Sequence, residues 1–173
     1  MRIINATHKR EKDKAQPNEN YQDCPALLRL CIGAPVRLNV NLWVKAGLYN
    51  GASGTVVDII DDPDCKDKNG LPACVLVQMD KKYKGINSCV EGMERVVPIF
   101  PKEICNRDSK KSFGRSRTQI PLSLDWGRTI HKAQGMTMEN AIIDITHKGK
   151  NILNIFFFFL YSYLLYCSFF VLS

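Results

Sequence analysis

Arg117-Thr-Gln-Ile-Pro-Leu-Ser-Leu-Asp-Trp-Gly-Arg-Thr-Ile-His-Lys-Ala-Gln-Gly-Met-Thr-Met-Glu-Asn-Ala-Ile-Ile-Asp144 changes its hydrophobic period twice within one short stretch. Thr118–Leu122 reads as a short strand, with Pro121 tolerable at its end or at an edge because proline has no ladder donor. Beyond it Trp126, Ile130 and Ala133 recur at i, i+4 and i+7, so one face of a helix packs inward. Thr129, Lys132 and Gln134 fall off that stripe, and Gly135 is a natural helix stop. Ala141–Ile145 is then a short apolar run bounded by polar residues, which fits a buried strand. The expected order is strand, helix, glycine turn, buried strand, and such α/β units carry functional groups at the ends of their elements.

The residues in the middle of this unit suit phosphate contact. The hydroxyl of Thr129 and the imidazole of His131 can donate hydrogen bonds to backbone oxygens without reading sequence, and Lys132 adds a point charge. Gly135 lets a ligand approach the main chain closely. The same groups also fit the solvated polar end of an amphipathic helix. Residue chemistry alone leaves both readings open.

Working outward, Pro25–Ile32 is an apolar run broken by Gly33, and Pro35–Asn41 alternates: Val36, Leu38 and Val40 face one way, Arg37, Asn39 and Asn41 the other. That pattern is a half-buried strand. Asn50-Gly51 suits a tight turn with positive φ, and Thr55–Ile60 is its returning strand. Ala73–Met79 and Glu94–Phe100 read as two more strands, so several short strands separated by Gly, Asn and Asp turns suggest a small barrel or sandwich. The acidic loop Asp61–Gly70 is interrupted by Pro63 and Lys66 and lacks the bidentate glutamate of a calcium loop. Lys102–Arg117 is basic and reads either as a phosphate-facing loop or as a solvated connection. Residues 1–24 are mostly polar and charged with no apolar period, and read as a disordered polar and basic arm.

Composition narrows the partners. The 173 residues carry a formal charge of +7 with 45% hydrophobic and 24% charged residues, and the pI is about 9.1. A polyanion or an anionic membrane surface is the expected counterpart. The seven cysteines (24, 31, 65, 74, 89, 105 and 167) show no C-x-x-C and no paired Cys/His spacing. Neither a zinc site nor a secreted disulfide framework is suggested, and a reducing compartment is the simpler reading.

The stretch from Arg117 to Asp144 resembles the motif V region of PIF-type DNA helicases, superfamily-one motors related to RecD-like and Helitron helicases. LRLCIGAPVRL (28–38) and GLYNGASGTVVDI (47–59) resemble the same family's second motor domain where it receives a β-barrel insertion. The resemblance implies an α/β fold: a partial RecA-like second motor domain from 25–46 and 106–148, with an SH3-like β-barrel inserted at 47–105. It implies that Thr129 and His131 contact single-stranded DNA and that Gln134 and Gly135 lie by the nucleotide; Lys132 is counted with the DNA contacts for its charge. ATP and Mg2+ are the implied cofactors of the intact enzyme, the parent's first motor domain is the implied partner, and a nuclear or mitochondrial location follows. The chain itself is expected to be a carboxyl-terminal piece.

Two requirements of such a motor are missing from this sequence. There is no G-x-x-x-x-G-K-[ST] loop, and no arginine follows Lys150 to serve a transition state. The chain alone is therefore expected to be inactive, with no catalytic residue and no metal ligand assigned. Residues 151–173 are instead uncharged and mostly apolar, long enough for a membrane-spanning helix. The alternative is that the helicase frame ends near residue 148 and the tail is non-native sequence. A non-catalytic single-stranded DNA-binding module and a tail-anchored membrane protein are the competing functions.

Overall fold

Val36 and Leu38 are fully buried while Arg37 is only partly so, which is the alternation that the sequence of Pro35–Asn41 requires. The computed structural model describes residues 1–9, 14–61, 70–85, 90–106 and 115–127, together with the backbone of Asn140–Asp144 and Ser168–Leu172. These fall into two units, Met1–Gly127 and Arg128–Ser173.

The first unit is built from antiparallel strands. β1 (Arg2–Asn5) pairs with β3 (Leu27–Leu30). β2 (Thr7–His8), β9 (Ser116–Gln119) and β8 (Lys102–Cys105) form a three-stranded sheet in the order β2-β9-β8. β4 (Pro35–Leu38), β5 (Ser53–Ile60), β6 (Cys74–Met79), β7 (Val96–Ile99) and β10 (Leu122–Leu124) form a five-stranded sheet in the order β10-β4-β5-β6-β7. One core joins the β1–β3 pair to the five-stranded sheet, with Ile4, Leu28, Leu30, Val36, Leu38, Val56, Val75, Val77, Ile99, Ile120 and Leu122 buried in it, and a second, smaller cluster groups Ile104 of β8 with Tyr21, Cys24 and Val40.

Turn chemistry follows the sequence at Tyr49–Ala52. The Ala52 N–H donates to the Tyr49 carbonyl (2.9 Å), and Gly51 takes φ +97°. A positive φ at the third position is what a type II turn requires, and glycine meets it without steric cost. The turn sets the return of β5 alongside β4, with Pro35 opposite Thr55 and Arg37 opposite Ser53.

Several expectations change. The inserted SH3-like barrel is not a closed barrel: the sheet is open, with β10 and β7 at its edges. It also takes strands from both sides of the boundaries expected at 47 and 105, because β4 and β10 hydrogen-bond to each other. The described residues contain strands and two short 3-10 helices, Asn18–Tyr21 and Val44–Ala46, and no α-helix; the expected helix over Trp126–Gln134 lies largely outside them. The polar arm expected at 1–24 is structured where it is described. Its few apolar groups suffice, since Ile4 and Tyr21 are buried completely and Cys24 with them. Lys102–Cys105, expected as loop, is a strand whose Ile104 is buried. Asn39, expected on the solvent face, is buried and donates from Nδ2 to Ser123 Oγ (2.8 Å) and to the Asp23 carbonyl (3.3 Å).

In the second unit β11 (Asn140–Asp144) pairs in parallel with β12 (Ser168–Leu172), Asn140 opposite Ser168 and Asp144 opposite Leu172. β11 matches the strand expected over Ala141–Ile145. β12 corrects the reading of 151–173 as one hydrophobic helix, because its last five described residues are extended. Parallel pairing of strands in one chain needs a crossover connection, as in α/β units. Among the described residues no helix is long and apolar enough to cross a membrane.

Candidate nucleic-acid interface

β9 and β10 come shortly before the expected site in the sequence. β9 carries the buried polar anchors. Arg117 is 0% exposed, and its guanidinium donates from Nε to His8 Nε2 (3.0 Å), from Nη1 to Asn18 Oδ1 and the Cys24 carbonyl (2.7 Å each), and from Nη2 to the Gln16 carbonyl (3.0 Å). The same guanidinium lies 4.3 Å from the centre of the Tyr21 ring, a cation–π contact. Two residues on, Gln119 donates from Nε2 to the Ile4 carbonyl (3.2 Å) and accepts at Oε1 from the Ile120 N–H (2.9 Å). A buried charge demands such partners, because an unpaired one costs several kcal/mol. The planar guanidinium fork meets that demand along several directions at once.

After Ile120-Pro121 the chain resumes as β10, and Asp125 pins its end. The Asp125 N–H donates to the Pro35 carbonyl (2.9 Å), Ser53 Oγ donates to Asp125 Oδ2 (3.1 Å), and Arg37 Nη1 reaches Oδ1 at 3.4 Å. The side chains of Asp125 and Arg37 are 8% and 16% exposed, so this pair is screened less than a surface pair. The backbone is thus held in place up to the residue before Trp126.

Beside Asp125 opens a cleft of about 390 Å³ at one end of the five-stranded sheet, lined by Ser53, Thr55, Gln78, Lys81 and Arg95 among others. Arg95 holds φ +60°, which is unusual for a residue with a side chain. Its Nε donates to the Met79 carbonyl (3.2 Å) and its Nη1 meets Glu94 Oε2 (3.0 Å). The cleft is polar and mixed in charge. Beside Arg117, burial pushes the Cys24 thiol up to about 12, against the lowering influence of the Arg117 charge and of the Asn39 hydrogen bond.

The sequence-derived site residues Thr129, His131, Lys132, Gln134 and Gly135 all lie outside the described residues. The structure brings together a support that sequence reading missed: Arg117, Gln119, Arg37 and Asp125. Periodicity could flag Arg117 only as the end of a basic loop, since its partners His8, Asn18 and Cys24 are remote along the chain. Among the described residues no group of three or more His, Cys, Asp or Glu side chains is placed to hold a metal ion.

No family model matches the chain. A zebrafish (Danio rerio) protein named ATP-dependent DNA helicase PIF1 is 37% identical over 119 residues, which cover 69% of this chain and 15% of the relative. The human PIF1 helicase is 33% identical over 124 residues, covering 70% of this chain and 16% of its own length. Among solved structures, the Pif1 helicase of Candida albicans matches 84% of this chain at 27% identity with a TM-score of 0.60. The match takes in 33% of that structure's chain. This chain therefore spans only a small part of the proteins it matches. Over that part, in sequence and in fold, it belongs to the PIF-type ATP-dependent DNA helicases.

Proposed function

We propose that this chain supplies the element by which a PIF-type helicase couples nucleotide state to its grip on single-stranded DNA. Thr129, His131 and Lys132 hold the phosphate backbone, and Gln134 and Gly135 lie beside the nucleotide. The observation that carries this reading is the TIHKAQG stretch itself, which lies in sequence between an anchored β9–β10 segment and the strand β11, in a chain that belongs to this helicase family. A related structure supports the ligands: the Pif1 helicase from Bacteroides, which shares this fold at a TM-score of 0.63, was solved in complex with ADP-AlF3 and single-stranded DNA.

In the intact enzyme ATP and Mg2+ are held chiefly by the first motor domain, which supplies the phosphate-cradling loop absent from this sequence. This chain's part is to bind and orient DNA. On its own it neither hydrolyses ATP nor unwinds DNA.

Oligothymidylate binding by the full chain, titrated with salt, tests the reading. Affinity should fall steeply with salt because phosphate neutralisation releases counterions. Thr129→Ala combined with His131→Ala should weaken binding by roughly ten-fold, the loss expected from a few hydrogen bonds to an anion. Unchanged affinity in the double variant, or DNA-stimulated ATP hydrolysis by the chain alone, defeats it.

A further inference from the structure

The connections β4–β5 and β6–β7 emerge at the same end of the five-stranded sheet, and they place an aromatic beside a group of lysines. Residues 42–48 fold back on themselves: the Leu42 and Trp43 N–H groups both donate to the Leu48 carbonyl (3.0 Å each), and the Leu48 N–H donates to the Trp43 carbonyl (3.0 Å). Ala46 and Leu48 are buried and anchor this loop. Leu42, Trp43 and Val44 are left exposed at 38%, 52% and 57%.

The second loop abuts the first. The Lys84 N–H donates to the Ala46 carbonyl (2.8 Å), and a Cβ added at Gly47 would lie 2.7 Å from the Lys82 carbonyl oxygen. Lys45, Lys81, Lys82 and Lys84 are all exposed; Asp80 is the acidic residue next to them, and Glu91 and Glu94 follow further along the β6–β7 connection. An apolar run of three on a surface usually marks an interaction site. An indole bordered by lysines has the two features that bind single-stranded nucleic acid without sequence preference: a flat face on which a base stacks and cations that track phosphates.

We infer that the loop end formed by Trp43, Lys45, Lys82 and Lys84 is a second contact for single-stranded DNA, made by base stacking on Trp43. The inference shares its ligand with the proposed function but none of its residues. Paired bases cannot stack on an indole without unpairing, so the surface selects single strands over duplex. It would hold the strand at the sheet end while the TIHKAQG element holds it elsewhere.

The chain has two tryptophans, so Trp126→Phe leaves Trp43 as the sole reporter. Oligothymidylate should quench Trp43 fluorescence saturably, and heparin, a polyanion without bases, should not. Trp43→Ala should weaken oligothymidylate binding by about ten-fold, in the range for loss of one stacked base, with Trp43→Phe restoring much of it. Lys82→Ala with Lys84→Ala, both at exposed positions, should flatten the salt dependence. Absence of quenching, equal quenching by heparin or blunt duplex, or full affinity in Trp43→Ala overturns the inference. If Trp43→Ala is silent while the Thr129/His131 double variant binds weakly, only this surface falls; the reverse pattern removes the proposed role of the motif and leaves this surface standing.

Discussion

At the scale of single residues, Arg117 decides how the amino-terminal segment sits. Its own side chain has no exposure to water, and its guanidinium holds His8, Asn18, Gln16 and Cys24 together. Arg117→Met keeps the side-chain volume but strands those acceptors, and should cost about 3 kcal/mol, the range for breaking a buried charged network. Urea unfolding measures the loss, and amide exchange should rise first across residues 2–8 and 18–24. Cys24, alongside, is governed by burial. Its thiol is raised from 9.0 to about 12, so the unfolded chain ionises at lower pH than the folded one. Below pH 9 the thiol is neutral in both states and contributes no pH dependence. Between pH 9 and 12 the unfolded state releases the proton first, so stability falls as pH rises, by up to about 1.4 kcal/mol per unit. The stability difference between wild type and Cys24→Ala, followed over that interval, should move in that direction. At pH 8 a thiol reagent should label the exposed Cys31 and Cys105 well before the buried Cys24 and Cys74, read by peptide mass mapping.

At the scale of elements, close packing of β5 on β6 sets the geometry of the sheet end that bears the cleft and the lysine loops. Gly54 lies opposite Met79, and an added Cβ would meet the Gln78 carbonyl oxygen at 2.6 Å and Val77 Cγ1 at 2.7 Å. A backbone oxygen cannot swing aside as a flexible side chain can. Gly54→Ala should therefore destabilise by roughly 2 kcal/mol through forced displacement of the two strands, seen as a lower Tm. Gly51→Ala meets no atom within 4 Å, but its φ of +97° makes that substitution strained for a different reason. The sequence marked Gly51 through its Asn-Gly pair, whereas Gly54 is a plain strand glycine until the neighbouring strand is seen.

At the scale of the whole molecule, the charge of +7 favours polyanion binding, and the salt dependence of oligothymidylate affinity reports how many phosphates are neutralised. The sequence by itself determined the individual strands β4 to β7 and β11, the turn at Gly51, the family, and the motif Thr129–Gly135 as candidate chemistry. These are legible because alternation, turn residues and short motifs are local, with the relevant residues within a few positions of each other. Only the tertiary structure decided that β10 joins β4, so that one open sheet spans segments expected in two domains. It alone decided that a polar amino-terminal stretch is ordered by Arg117 and Gln119, and that the segment bearing Lys82 and Lys84 abuts the loop that bears Trp43 at Ala46 and Gly47. Each of those depends on pairing between residues remote along the chain. Their cost is loop closure and their gain is burial, and neither quantity is written in any local pattern.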